Sequence, residues 1–299
     1  MALKYKKYLD QKIKDFHGTS ILITGANSGI GYEASLALAY KGAHIYMACR
    51  NVERAVIAKK AILEEVPEAQ IEILLYDQAS ISSIKKLASK IKDDGFKLDG
   101  FVFNAGVYHP KNGLKTEDGF SLTLGTNYVG AKILFENLES YFAQNNTRLV
   151  FVGSLANKRV SPRIIYANIF GEKDSLFAQY KISKYCIMQN AYHLSVHNRN
   201  NVVAVVHPGV TSTNIINGFP RRFQNAARFV LRAFTHPASK ASLTIVYALS
   251  ESVSSGSYIV PRGLFHIDGY PTISAIPKKI KNNFENDYQE MQQYLKGKF

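Results

Sequence analysis

Six short runs of nearly unbroken apolar residues recur along the chain, separated by helix-length segments. They are SILIT (20–24), AHIYMAC (43–49), IEILLY (71–76), LDGFVFN (98–104), RLVFVGS (148–154) and NVVAVVH (201–207). A strand with one solvated face alternates apolar and polar residues. A run that is apolar throughout is covered on both faces, as in a parallel sheet. The segments between them, at about 30–40, 52–65, 80–92, 119–143 and 179–197, carry helix formers. This alternation predicts an α/β fold with a doubly wound parallel sheet. No linker rich in Pro, Gly or Ser interrupts it, and no internal repeat is present. A single domain is therefore expected over 19–270, between a basic N-terminal extension (1–18) and a charged, helical C-terminal tail (271–299). Leu3, Ile13 and Phe16 are expected to share one face of an N-terminal helix that packs on the body. The alternative is a helix lying on a membrane surface. Two connections break the rhythm, 155–178 and 208–236, and the second carries Arg221, Arg222, Arg228 and Arg232. Both follow the carboxyl ends of strands, where such folds bind ligands. They are the expected substrate-loop region.

Composition narrows the function classes. The 299 residues are 46% hydrophobic and 20% charged, which argues against disorder. Cys49 and Cys186 cannot build a disulfide framework and lack metal-ligand spacing, so a reducing, cytoplasmic setting is expected. The balance of 37 Lys+Arg against 23 Asp+Glu gives a formal charge of +14. No helix–turn–helix, zinc-finger or aromatic-basic RNA signature accompanies that charge, so nucleic acid is not an expected partner. Weak contact with an anionic membrane stays open. No stretch reaches the roughly 18 apolar residues of a membrane span.

The chemistry begins at the junction of the first strand and helix, in Thr24-Gly25-Ala26-Asn27-Ser28-Gly29-Ile30-Gly31. Glycine permits a tight turn and lets backbone approach a pyrophosphate without a Cβ in the way. The helix that follows directs unpaired N–H groups and a partial positive charge at the anion. The spacing is G-x-x-x-G-x-G rather than G-x-G-x-x-G. At the end of the second strand, where NAD binders usually carry an acid, the chain has Cys49-Arg50-Asn51. An arginine pairs with a 2′-phosphate through a forked contact, so Arg50 favours NADP(H), with NAD(H) still open. Asp77, after the third strand, either accepts from an adenine amino group or caps the helix near Ser80.

Tyr180 and Lys184 lie four apart on a predicted helix and so share a face. A lysine charge beside a phenol favours the phenolate, and such a tyrosine exchanges a proton with a carbonyl or alcohol oxygen. Ser154, at the end of the fifth run, could hydrogen-bond the same oxygen. Asn104-Ala105-Gly106 ends the fourth run and would form the cleft wall. Asn127 is polar within a helical segment. It would either hold a backbone carbonyl and a water leading to Lys184, or satisfy a helix kink.

These motifs resemble those of the short-chain dehydrogenase/reductase family. The matching residues are Thr24-Gly25-x-x-x-Gly29-Ile30-Gly31, Asn104-Ala105-Gly106, Asn127, Ser154, Tyr180-x-x-x-Lys184 and His207-Pro208-Gly209. They occur in the family's order over about 19–213. The resemblance implies a Rossmann fold, an NAD(P)(H) cofactor and a small carbonyl or alcohol substrate. It implies Tyr180 as acid/base, Lys184 on the nicotinamide ribose, Ser154 positioning substrate and Asn127 in a proton relay. Pro208, Gly209 and Thr211 would contact the cofactor, Thr211 near the carboxamide, and a homo-oligomer is in keeping with the family. Ala48-Cys49-Arg50-Asn51 and Asn127-Tyr128-Val129-Gly130 look like the retinol dehydrogenase and WW-domain oxidoreductase branch. The expected activity is NADP(H)-dependent hydride transfer, in the direction of reduction. The alternatives are a non-catalytic NAD(P)-binding regulator and a surface-bound lipid- or retinoid-type reductase.

Overall fold

The structure is a computed structural model that describes residues 3–108, 113–171, 175–198, 200–210, 237–250 and 252–297. Six apolar runs become six parallel strands: β1 Ser20–Thr24, β2 His44–Cys49, β3 Ile71–Leu75, β4 Gly100–Phe103, β5 Arg148–Val152 and β6 Val203–Val206. A seventh parallel strand, β7 Tyr258–Pro261, and an antiparallel β8, Pro271–Ser274, complete one sheet in the order 3-2-1-4-5-6-7-8. This is the doubly wound order of the Rossmann fold, with its reversal between β1 and β4.

Successive residues of a strand point to opposite faces, and both faces are apolar here. In β1, Leu22 joins one buried cluster while Ile21 and Ile23 join the other. Phe101 and Val102 of β4 divide in the same way, as do Leu149 and Val150 of β5. Helices cover each face. Among the described residues those of seven or more residues are α1 Lys6–Lys12, α2 Gly29–Tyr40, α3 Val52–Glu65, α4 Ile81–Asp93, α5 Ala131–Asn145, α6 Pro162–Phe170, α7 Leu176–His197 and α8 Phe284–Leu295. In α4, Ile84, Leu87, Ala88 and Ile91 form the buried stripe, and Ser80 caps the start by accepting from Ser83 N–H at 3.2 Å.

Several sequence expectations shift. The expected helix over 119–143 is interrupted. A short turn at Leu122–Leu124 leads into a π-helical stretch, Gly125–Gly130, before α5 begins. The wider π turn accommodates the buried polar Asn127, and such turns gather at functional sites. The fifth strand stops at Val152, so Ser154 lies in the loop beyond it. The N-terminal helix ends at Lys12, yet Leu3, Leu9, Ile13 and Phe16 are all buried against the body. Residues 271–299 supply β8 and α8, and Ile280, Met291 and Leu295 join the main core. Among the described residues no helix is long and apolar enough to cross a membrane.

Candidate active site

The sheet's order reverses at β1/β4, and a cleft of about 970 Å³ opens beside the carboxyl ends of these strands. Gly25 begins the turn with φ +68°, in the left-handed region that favours glycine. A Cβ on Gly31 would stand 2.4 Å from Gly25 O and 2.6 Å from Asn104 Nδ2, so only glycine fits. Ser28 begins α2 without a side-chain cap. The N–H groups of the first turn are thus left to face the cleft, which Asn27, Ser28, Gly29, Ile30 and Gly31 line.

Side-chain bonds fix the cleft walls. Thr24 is fully buried and lies behind the lining. Its hydroxyl accepts from Asn104 N–H at 3.0 Å and Ala105 N–H at 2.9 Å, and donates to Val102 O at 3.2 Å. Asn104 Nδ2 donates to Thr24 O at 2.8 Å, which ties the ends of β1 and β4 together. Gln78 was not singled out in the sequence. It is buried and donates to Ala105 O at 3.0 Å and Thr126 O at 2.6 Å, bracing the wall from β3. Arg50 stands exposed at the rim, with a guanidinium nitrogen 3.9 Å from Asp77 Oδ2. Asp77 does not cap α4, because Ser80 does. Its Oδ1 accepts from Ala79 N–H at 2.9 Å, and the other oxygen faces Arg50.

Helix α7 begins at Ser175, whose hydroxyl accepts from Ala178 N–H. One turn on, Tyr180 and Lys184 line the cleft together with Ser154. Ser154 hydrogen-bonds the Tyr180 phenol and draws its pKa down, but burial dominates and leaves it above the ordinary tyrosine value. Lys184 Nζ donates to Val152 O at 2.8 Å and sits 5.9 Å from the centre of the Tyr180 ring. Burial alone lowers its pKa from 10.5 to about 8. The lysine-driven lowering expected at Tyr180 is not found: burial raises the phenol, and the group that draws it down is Ser154. Asn127 receives Val107 N–H at 2.7 Å on its Oδ1. Its Nδ2 donates to Val107 O and Ser183 Oγ, each at 3.0 Å. A Cβ on Gly106 would stand 3.2 Å from Asn127 Oδ1 and 3.7 Å from Lys184 Nζ, so both groups flank this glycine.

The loop after Ser154 is held from the C-terminal segment. Arg159 makes a forked pair with Asp287, both contacts at 2.9 Å, and Tyr185 OH donates to the same carboxylate at 2.7 Å. Lys279 Nζ donates to Asn157 O at 2.9 Å. Leu155 N–H donates to His207 Nδ1 at 3.2 Å, which brings the loop onto Pro208 and Gly209 at the cleft. Thr211, Arg221, Arg222, Arg228 and Arg232 lie outside the described residues.

Residues 19–168 match the model of the short chain dehydrogenase family. The chain belongs to that family. It is 30% identical over 246 residues to the WW domain-containing oxidoreductase of Homo sapiens, which covers 78% of this chain and 58% of that protein. Retinol dehydrogenase 13 of Homo sapiens is 32% identical over 203 residues, 66% of this chain and 60% of that protein. The chain spans about three fifths of the length of these relatives. A Shigella flexneri 2a short chain dehydrogenase complexed with NADP superposes with a TM-score of 0.61 at 21% identity, covering 81% of this chain and 96% of that one. That likeness concerns the fold.

Short-chain dehydrogenases are NAD(P)-binding oxidoreductases, and the residues present fit a dinucleotide. The α2 N-terminus is uncapped by a side chain, the turn admits no Cβ at Gly31, and Thr126 Oγ1 lies buried on the lining without a hydrogen-bond partner. The family motifs pick out most of the cleft. They do not reach Gln78 or Asp287, whose roles depend on contacts across 48 and 128 residues.

Proposed function

We propose that this chain is an NADP(H)-dependent carbonyl reductase with Tyr180 as its proton donor, and that it runs alcohol oxidation in reverse. The carrying observation is the convergence of Ser154, Tyr180 and Lys184 on one cleft with the glycine turn. Burial keeps Tyr180 protonated at neutral pH, as an acid must be before it protonates a nascent alkoxide. Ser154 is placed to hold the same oxygen, and Lys184 to stabilise the phenolate left behind. Asn127 anchors the Val107 backbone at the cleft wall and links it to Ser183 on α7, which fixes that helix. The nicotinamide, when bound, supplies the hydride. Residues Gly25 to Gly31 would hold its pyrophosphate, with Asn104, Ala105, Gly106, Pro208 and Gly209 along the wall.

Arg50 supports a preference for NADPH. Its guanidinium is exposed at the rim and can fork onto a 2′-phosphate, with Asp77 beside it to orient the fork. At the other end, Tyr108 meets Tyr180 edge-on at 5.5 Å and Phe177 at 6.3 Å, and Leu155 and Val210 complete an apolar mouth. That surface favours a carbonyl compound with an apolar or aromatic body. In Tyr180→Phe, NADPH should bind with wild-type affinity while NADPH-dependent reduction of aldehydes and ketones falls at least about a hundredfold. Wild-type turnover in that variant overturns the assignment.

A further inference from the structure

Away from the cleft, α7 carries a second set of chemically capable side chains. His193 and His197 lie four apart near its end and share a face. Glu285 meets them from the first turn of α8. Its Oε2 is 2.8 Å from His197 Nε2 and 3.4 Å from His193 Nδ1. The ligand atoms of all three residues lie within 4.8 Å of one another. Zinc binds imidazole nitrogen and carboxylate oxygen at about 2.0–2.2 Å, which puts tetrahedral ligands about 3.3 Å apart. The two contacts to Glu285 straddle that spacing.

Three further observations point to a ligand. His193 Nδ1 is buried with no hydrogen-bond partner, although it faces the shared carboxylate oxygen. The outer shell is already arranged. Gln289 Nε2 donates to Glu285 Oε1 at 2.8 Å, leaving Oε2 toward the histidines, and the His193 ring lies flat on Tyr288 at 3.6 Å. Finally, His197 is half exposed, which provides access from solvent and a position for a water as fourth ligand.

We propose that His193, His197 and Glu285 bind one divalent transition-metal ion of the zinc class. Two imidazoles and one carboxylate select such an ion over magnesium or calcium, which prefer all-oxygen shells. The ion does not touch the reacting atoms. It staples α8 to the helix that carries Tyr180 and Lys184. Asp287, two residues beyond Glu285, holds Arg159 and Tyr185, so the staple also secures the loop after Ser154.

The test uses the full chain after chelator treatment, titrated with Zn²⁺ and, for its spectrum, Co²⁺. Binding of one ion per chain, visible absorption typical of tetrahedral cobalt and a raised melting temperature are expected. The half-exposed position allows His197→Gln without loss of fold, checked by circular dichroism. That variant, His193→Gln and Glu285→Gln should each weaken zinc by about tenfold or more. Zinc affinity unchanged in the His193→Gln/His197→Gln double variant overturns the proposal. So does the absence of binding to the wild-type chain at millimolar Zn²⁺.

Discussion

The half of the cleft formed by β1 to β4 is built from backbone and short polar side chains, whereas the half beyond Ser154 is propped by side chains from the far end of the chain. In the first half, Gly25, Gly31, Thr24 and Asn104 interlock at the strand ends, and strand register fixes where each stands. In the second, Arg159 and Asp287 meet across 128 residues and Lys279 reaches Asn157 across 122. On the proposed function, the cradle made by strand ends holds the cofactor. A loop held by long side chains can be altered without disturbing that cradle.

This contrast breaks if variants on one side act on the other. The largest effect is expected from Gly31→Val. Its side chain would overlap Gly25 O and Asn104 Nδ2, and backbone cannot yield cheaply. Destabilisation of about 3 kcal/mol is expected from overpacking, with loss of NADPH binding, both measurable by denaturant titration and nucleotide fluorescence. Lys184 tests the border between the halves. Its folded pKa, about 8, lies below its ordinary 10.5. Between these values the unfolded chain binds the proton that the folded chain has released. Stability therefore gains a contribution that grows as pH rises from about 8 toward 10.5, up to about 3 kcal/mol, and is absent below 8. Comparing Lys184→Met with the wild type across that window should isolate this contribution, which the variant lacks.

Asp287→Ala should cost about 2 kcal/mol. The Tyr185 hydroxyl and the Arg159 guanidinium lose their shared carboxylate, but Arg159 is 40% exposed and solvent screens part of the pair. Steady-state kinetics should show a raised KM for the carbonyl compound with an unchanged NADPH dissociation constant. A shift in NADPH affinity would erase the contrast. The smallest effect is expected from Arg50→Asp. It should weaken NADPH relative to NADH by about tenfold, roughly 1.4 kcal/mol, while leaving the melting temperature near that of the wild type. An unchanged preference would remove Arg50 from 2′-phosphate recognition.

The cradle was legible in the sequence because its determinants are local. Leu22 and Ile23 are adjacent apolar residues on opposite faces, and that adjacency is the mark of a strand covered on both sides. Strand ends were less legible. Asn104 and Ser154 extend apolar runs in the sequence, but their side chains turn to Thr24 and Tyr180 rather than continuing the ladder. The break at Gly125–Gly130 was partly legible: the helical pattern continues through it, but the polar Asn127 within that pattern already allowed a helix kink there. Gln78, Arg159 and Asp287 were not singled out in the sequence. Nothing local marks a polar side chain whose partners stand 27 to 128 residues away.

On the proposed function, the glycine turn and the Ser154–Tyr180–Lys184 group form one hydride-transfer site. The most direct measurement follows deuterium from NADPH labelled at the nicotinamide C4 position into the alcohol formed from an apolar aldehyde or ketone. One deuterium on the carbinol carbon of the wild-type product is the expected result, with no labelled product from Tyr180→Phe at saturating NADPH. Reduction that leaves the carbinol carbon unlabelled for both faces of the nicotinamide, or labelled product formed equally well by Tyr180→Phe, would contradict the account.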